Sequence, residues 1–485
     1  MRPISRRRAL QLGGAGFAAT VVGGAGLGWE ATSRFDPVPG GRLAEPSAVR
    51  SVDGALDLRL EVSEGRARVA GRTATVLRYN GGVPGPTLRL NPGDRLRVEL
   101  VNRLAAPTNL HVHGLHVSPA GNGDNVLVTV EPGGSRRYDY RLPDDHPPGV
   151  FWYHPHHHET VADQVFGGLY GAILVADRQT LPVTRERVLV VSDISLDGGG
   201  KVHSVSAAAR MMGREGDLVL VNGALRPQLS TRPGARERWR IVNACVSRYL
   251  RLALDGQQLQ LLGLDSGRFQ RPAEVREVLL APGNRADLQV TTATGTSQLR
   301  ALPYDRGAVM GMGAMGGSSA SSTATVELAT LTVGGAAAPT LPALPTQPAP
   351  RDLRQATVAG HRELILGGGM GMEMGGGGMR FTVDGRSFDP GRVDQSVRLG
   401  TVEEWTLTNN SSMDHPLHLH VWPMQVVQSH GEPVDPPAWQ DVVNVPARGH
   451  TTIRVAFDDF PGRTVYHCHI LDHEDKGMMG IIDAR

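Results

Sequence analysis

The chain has 485 residues, enough for several domains, and its 50 basic and 48 acidic residues leave a net charge of +2. The two signs are interspersed and no run forms a basic patch, which argues against nucleic acid as a partner. Only two cysteines, Cys245 and Cys468, are present, so a disulfide-dense scaffold is excluded and stability must come from other sources, buried cores first.

The first segment carries Arg2, Arg6, Arg7 and Arg8, then a Gly/Ala-rich, weakly apolar stretch to about residue 28. A basic start before a short apolar region reads as a secretory signal. Ser5, Arg6 and Arg7 with Leu10 resemble a twin-arginine signal, with Ala9 in place of the commoner Phe. Residues 1–30 are therefore expected to be a leader for export to the periplasm, the cell surface or the medium. No clean Ala-x-Ala cleavage site follows, so an uncleaved anchor stays open. Beyond it no apolar run approaches the roughly 18 residues of a membrane span.

Three later segments share one pattern, a glycine, an alternating strand and an asparagine: Gly93 to Asn102, Gly234 to Asn243 and Gly400 to Asn409. Apolar residues alternate with polar ones, the period-2 signature of a half-buried strand. Pro92-Gly93 and Pro233-Gly234 mark the preceding turns, and Asn80-Gly81, Asn222-Gly223 and Asp384-Gly385 lie upstream. Repeats this far apart are whole domains, and many short strands with Gly/Pro turns predict β-sandwiches. The expected domains are residues 48–178, 183–335 and 356–485. Between the last two, residues 336–355 include Pro339, Pro342, Pro345, Pro348 and Pro350, which favour a stiff, extended linker. Cys245, at the end of an apolar strand, reads as a small core residue.

Histidines recur in pairs. His111 and His113, His154 and His156, and His418 and His420 (just after His415) are each two apart, which places both rings on one face of a strand. One such pair is as readily a polar turn, but the fourth pair, His467 and His469, encloses the thiol of Cys468. On an extended strand Cys468 faces one way and its two neighbours the other. A thiolate with histidines and a distant thioether is the ligand set of an electron-transfer copper site, and Cys468, His473 and Met478 can supply three of those ligands. His467 and His469 are left to bind other metals.

In these four blocks the chain resembles the three-domain bacterial multicopper oxidases, the laccase-like and cuprous-oxidase enzymes, over nearly everything after the leader. The resemblance implies an all-β fold of three consecutive cupredoxin-like Greek-key β-sandwich domains. It also implies four copper ions. His415, Cys468, His473 and Met478 would hold a type 1 copper, and His111 and His418 a type 2 copper. His113, His154, His156, His420, His467 and His469 would hold a type 3 pair. The middle domain, which has no histidine pair, would then be a spacer. Electrons from a reducing substrate would pass from Cys468 through His467 and His469 to the cluster, where dioxygen is reduced to water. Glu474 matches the family's proton-relay carboxylate, and Asp124 matches the acid near the type 2 copper at a longer spacing than in the copper-efflux branch.

The substrate stays open between phenols or aromatic amines and Cu(I). Methionines cluster in Gly-rich stretches, Met310, Met312 and Met315, then Met370, Met372, Met374 and Met379. Thioethers select Cu(I), so Met372, Met374, Met379 and Met413 are candidate ligands of a substrate Cu(I). The alternative is an incidental Gly-rich loop, short enough to leave the type 1 edge open to bulky organic donors. His116, His157 and His158 lie near the histidine pairs but off the pattern, as supporting hydrogen-bond partners or surface residues. Relatives of the same fold that have lost copper and act structurally, and copper carriers, are the non-oxidase alternatives.

Overall fold

A computed structural model describes residues 35–307, 324–370, 379–429, 431–435 and 439–485. The expected leader and Met310, Met312, Met315, Met372 and Met374 lie outside the described residues, and of Met370 and Met379 only the backbone is described, at strand ends.

Six sheets form three cupredoxin-like sandwiches. In the first, a sheet ordered Ala48–Arg50, Thr87–Leu90, Gly171–Val175, Gly149–His154, His111–His113 faces one ordered Arg72–Tyr79, Ala55–Val69, Arg95–Asn102, Ser135–Arg141. Leu56, Leu96, Val112, Phe151 and Ile173 from both sheets share its core. The second core, with Leu189, Trp239, Leu252 and Leu331, and the third, with Leu364, Trp405, Leu417 and Ile482, are built the same way. A further apolar cluster joins Trp152 and Phe166 of the first sandwich to Val188 and Val242 of the second and Leu471 of the third. The three units therefore pack on one another rather than trailing along a string.

The repeated strands occupy equivalent places. Arg95–Asn102, Arg236–Asn243 and Thr401–Asn409 each lie between a parallel and an antiparallel neighbour. Along Arg95–Asn102 burial alternates, Leu96, Val98 and Leu100 inward and Arg95 and Arg97 outward, as the polar pattern requires. The asparagine that ends each strand is buried and makes the same corner. Asn243 Nδ2 donates to the carbonyls of Arg248 at 2.9 Å and Leu280 at 3.0 Å, and its Oδ1 accepts from Cys245 N at 3.1 Å. Asn102 serves Ala106, Val130 and Leu104 in that way, and Asn409 serves Met413, Val445 and Ser411. One amide thus satisfies backbone groups that the turning chain can no longer pair within the sheet.

The proline-rich stretch after Val333 contains no strand and runs along the middle sandwich, Ala338 N donating to Pro233 O at 2.8 Å and Gln347 N to Gln270 O at 3.1 Å.

Replacing Asn243 by Ala leaves a buried N–H and two buried carbonyls without partners. A denaturant melt should show a loss of about 3 kcal/mol. A loss below about 0.5 kcal/mol, the scale of an ordinary surface substitution, would remove the corner from the argument.

Candidate metal centre

Two antiparallel strand pairs set the histidines. His111 stands opposite His154, and on the third sandwich His418 stands opposite His467 while Leu417 stands opposite Cys468. Alternation along Gly462–Cys468 puts the Cys468 thiol among the third core and the His467 ring on the other face. The chain then turns through the short helix Leu471–Glu474, which returns His473 to the cysteine side.

On that side Cys468 Sγ lies 3.5 Å from His415 Nδ1 and 3.9 Å from His473 Nδ1, all three fully buried. Met478 is buried in the same core, and the backbone joins it to both neighbours: Met478 N donates to His473 O, and Cys468 N to Met478 O, each at 3.0 Å. The Phe381 ring stacks on His473 at 3.8 Å. Outer nitrogens are fixed as well, His415 Nε2 at 2.8 Å from Ser411 Oγ and His473 Nε2 at 3.3 Å from the Met211 carbonyl. Burial pushes the Cys468 thiol far above its ordinary value. A soft cation would be needed to hold it as thiolate.

On the other side eight imidazoles from the first and third sandwiches converge. His156 Nε2 is 3.0 Å from His467 Nε2, His420 Nε2 is 3.2 Å from His467 Nε2, and His111 Nε2 is 3.4 Å from His418 Nε2. Their far nitrogens explain what these contacts mean. His418 Nδ1 donates to Asp441 O at 2.7 Å, His467 Nδ1 to Cys468 O at 3.1 Å and His154 Nδ1 to Pro155 O at 2.8 Å. A carbonyl can only accept, so in each ring the proton sits on Nδ1 and Nε2 presents a lone pair inward. A cation shared by these rings would take up those inward lone pairs. His113 is reversed: Nε2 meets Asp441 Oδ1 at 2.9 Å, and Nδ1 has no protein partner. His469, with neither nitrogen partnered, completes a group with His113 and His154, its ring 4.9 and 5.8 Å from theirs. The donor set is thus neutral imidazole throughout, which suits copper or zinc rather than magnesium or calcium.

Burial, ahead of repulsion by neighbouring rings, holds His111, His113, His418, His420 and His469 well below the ordinary imidazole value, with His154 at about 3 and His156 at about 4. Two carboxylates enter this zone. Asp124 lies 2.9 Å from His111 Nδ1 and accepts from Val112 N, and burial pushes it up to about 8. Glu474 lies 3.0 Å from His467 Nδ1 and 3.5 Å from His156 Nε2. Burial raises it, but those imidazoles outweigh burial and hold it below the usual carboxylate range.

Other expected residues fall elsewhere. Met413 is buried beneath an antiparallel bridge to Gly307, so it offers no thioether to solvent. His116 bridges the first and third sandwiches through Val421 O at 2.9 Å and Asp459 at 3.0 Å. His158 packs on Phe388.

The middle sandwich also reaches the site at points the histidine pattern does not reveal. Its helix Ala207–Met212 lies over His473, and the adjacent Met211 and Met212 were the sequence signal that could have drawn attention to it. Gly283 packs so closely on the His469 ring that a Cβ there would lie 2.8 Å from it. Arg285 and Asp441 meet beside His113.

Sequence families described as multicopper oxidase match residues 61–180, 152–299 and 364–485. The chain is 27% identical over 428 residues to a multicopper oxidase of Staphylococcus haemolyticus, covering 84% of each. It is 26% identical over 470 residues to a laccase of Bacillus subtilis, covering 84% of this chain and 89% of the relative. Among solved structures it superposes on a multicopper oxidase from Campylobacter jejuni described as a metallo-oxidase. That match has a TM-score of 0.79 and 28% identity, and covers 94% of this chain and 96% of that one.

The depressed imidazoles fix the pH response of the metal-free protein. A ring at about 3 or 4 when folded, as in His154 and His156, takes up a proton in the unfolded chain first, from its ordinary 6.5 downward. Stability from such a ring is complete above that value and is lost at about 1.4 kcal/mol per pH unit as pH falls toward the folded value. Asp124, Asp265 and Asp475, with the less shifted Glu45, Glu215 and Asp384, are raised by burial and work in the opposite sense. The lowered imidazoles, His146, His415 and His473 among them, outnumber these carboxyls. The melting temperature of metal-free protein should therefore drop steadily on acidification from neutrality, and bound metal should delay the drop. A melting temperature that rises under acid would contradict the buried neutral cluster.

Proposed function

The chain belongs to the multicopper oxidases, and from that membership we propose that it couples one-electron oxidation of a reducing substrate at a type 1 copper to reduction of dioxygen to water at a trinuclear copper cluster. It is an oxidoreductase with oxygen as acceptor; the finer assignments are our reading. His415, Cys468, His473 and Met478 would hold the type 1 copper, and His111 and His418 the type 2 copper. The type 3 pair would be held by His113, His154 and His469 on one side and His156, His420 and His467 on the other, making four coppers. Copper bound there supplies reversible one-electron chemistry at the first site and dioxygen reduction at the second.

The observation that carries this reading is the position of Cys468, buried on one face of a strand whose next residues, His467 and His469, belong to the other cluster. A few covalent bonds then join donor site and oxygen site, and no partly reduced oxygen need leave the protein. The carboxylates fit proton supply. Glu474 touches His156 and His467, and Asp124, buried and holding a proton near neutrality, touches His111. Burial of every ring keeps water from competing for these positions.

For the donor, the cover over His473 supports a small one. His473 is fully buried with its outer nitrogen on the Met211 carbonyl, so a bulky phenol has no direct approach to that ring edge. This favours Cu(I), in keeping with the metallo-oxidase description of the Campylobacter jejuni relative, over the phenols and aromatic amines of a laccase. The basic leader supports an exported enzyme, by the twin-arginine route, in the periplasm or beyond it.

Copper-loaded protein in an oxygen electrode tests both levels. Uptake should be faster with Cu(I) than with a bulky phenol, and the reverse order would turn the assignment toward a laccase. Cys468→Ser should abolish the blue thiolate-to-copper band and uptake with either donor. Retained uptake in that variant would refute the proposed electron path.

A further inference from the structure

Arg285 belongs to the middle sandwich, on strand Arg285–Thr291, and is wholly buried. Its guanidinium forks onto Asp441 of the third sandwich, Nη1 to Oδ1 at 2.6 Å and Nη2 to Oδ2 at 2.5 Å. Nε donates to Val150 O at 2.9 Å, on the strand of the first sandwich that ends at His154, and Nη1 also reaches Gly283 O at 3.1 Å. Asp265, itself buried, holds the Arg285 backbone N–H at 2.8 Å. One side chain therefore touches all three sandwiches beside the histidine cluster. The space is tight: a Cβ at Gly114, where φ is +84°, would collide with both the guanidinium and the Asp441 carboxylate.

Asp441 passes this order to two rings. Its Oδ1 lies 2.9 Å from His113 Nε2, and its backbone carbonyl accepts from His418 Nδ1 at 2.7 Å. A forked guanidinium holds a buried carboxylate in one orientation. A carboxylate whose oxygens take both arms of that fork meets His113 as an acceptor, so the His113 proton sits on Nε2 and Nδ1 is left to face the cluster. His111, His154, His418 and His467 each have a partner on Nδ1 instead.

We propose that Arg285 is a positioning residue for the trinuclear cluster. Through Asp441 it fixes the tautomer and orientation in which His113 presents Nδ1, so the sandwich that supplies no histidine sets the geometry of the site. Without it, Asp441 has no fixed cationic partner, His113 can turn or shift its proton, and the copper it shares with His154 and His469 is held less tightly. This rests on the multicopper oxidase reading of the same histidines.

The test compares copper-reconstituted wild type with Arg285→Met, Arg285→Lys and, as a control, Arg238→Met. Arg238 is an equally buried arginine, paired with Asp177 and Asp287 at the contact of the first and middle sandwiches, away from any histidine. Copper per chain is counted after dialysis against a chelator, alongside the blue thiolate band and the near-ultraviolet band of the coupled copper pair. Arg285→Met should keep the blue band, lose the coupled-pair band and bind one cluster copper about 10–100-fold more weakly. Arg285→Lys, which keeps the charge without the fork, should recover part of the loss, and Arg238→Met should keep both bands even if it melts lower. Full copper and both bands in Arg285→Met would overturn the proposal, as would simultaneous loss of both bands, which marks general unfolding. Absence of both bands from wild type would instead overturn the multicopper oxidase reading beneath it.

Discussion

The structure depends on one contact, between imidazoles that no single sandwich can bring together. His111 and His156 of the first unit meet His418 and His467 of the third, nitrogen to nitrogen, at 3.0 to 3.4 Å. Carbonyls on Nδ1 of His418 and His467 leave their Nε2 lone pairs facing the rings of the first unit. A cation bound there would be shared by both units, so binding it would stabilise their docking.

The surroundings hold the same docking. The short helix bearing His473 is tied on both flanks. Asp472 takes the Arg214 guanidinium of the middle sandwich at 2.5 Å, and Asp475 accepts from Val161 and Ala162, the first N–H groups of helix Val161–Gly167 in the first. A carboxylate at a helix start satisfies donors that the helix leaves unpaired. Buried ion pairs add little net stability, but breaking one leaves a stranded charge, so such pairs specify a single docking geometry. Histidine rings that must meet within tenths of an ångström require that.

Much of this was legible in the chain. Period-2 alternation before Asn102, Asn243 and Asn409 pointed to the three sandwiches, and before Asn102 and Asn409 burial alternates with it. Before Asn243 it does not, because Arg238 and Arg240 are buried as well, paired with Asp287. Of the histidine pairs only His111 and His113 lie within one strand; His156, His420 and His469 fall just past the strand ends at His154, Leu419 and Cys468, and docking of the sandwiches brings the eight rings together. The corner formed by the repeated asparagine was visible as a pattern, although its three backbone partners were not. Tertiary partners of single residues left no trace. Arg285, Asp441, Asp265 and Gly283 come from different strands and loops, share no motif, and acquire meaning only when the sandwiches dock. The cover on His473 escaped for the same reason, since helix Ala207–Met212 is more than 260 residues from it in sequence.

The middle sandwich therefore does more than set a distance. It places one fully buried arginine at each metal region, and their partners differ in a way that suits each place. Arg285 meets carboxylates, Asp441 above all, which balances its charge and aims a histidine. Arg306 meets carbonyls, Met212 and Gly213 at 2.8 Å at the end of the helix over His473, and Ser247, with the Glu215 carboxylate farther off at 3.7 Å. A guanidinium there complements the negative end of that helix, and its own carbonyl accepts from Asp414, the neighbour of His415, at 2.7 Å. Burial above all, with Arg306 adding to it, lowers His415 and His473 and supports neutral rings as ligands. The same contacts hold the helix down on His473. The unit that supplies none of the clustered histidines thereby packs against both groups of them, covering His473 and meeting Asp441 beside His113.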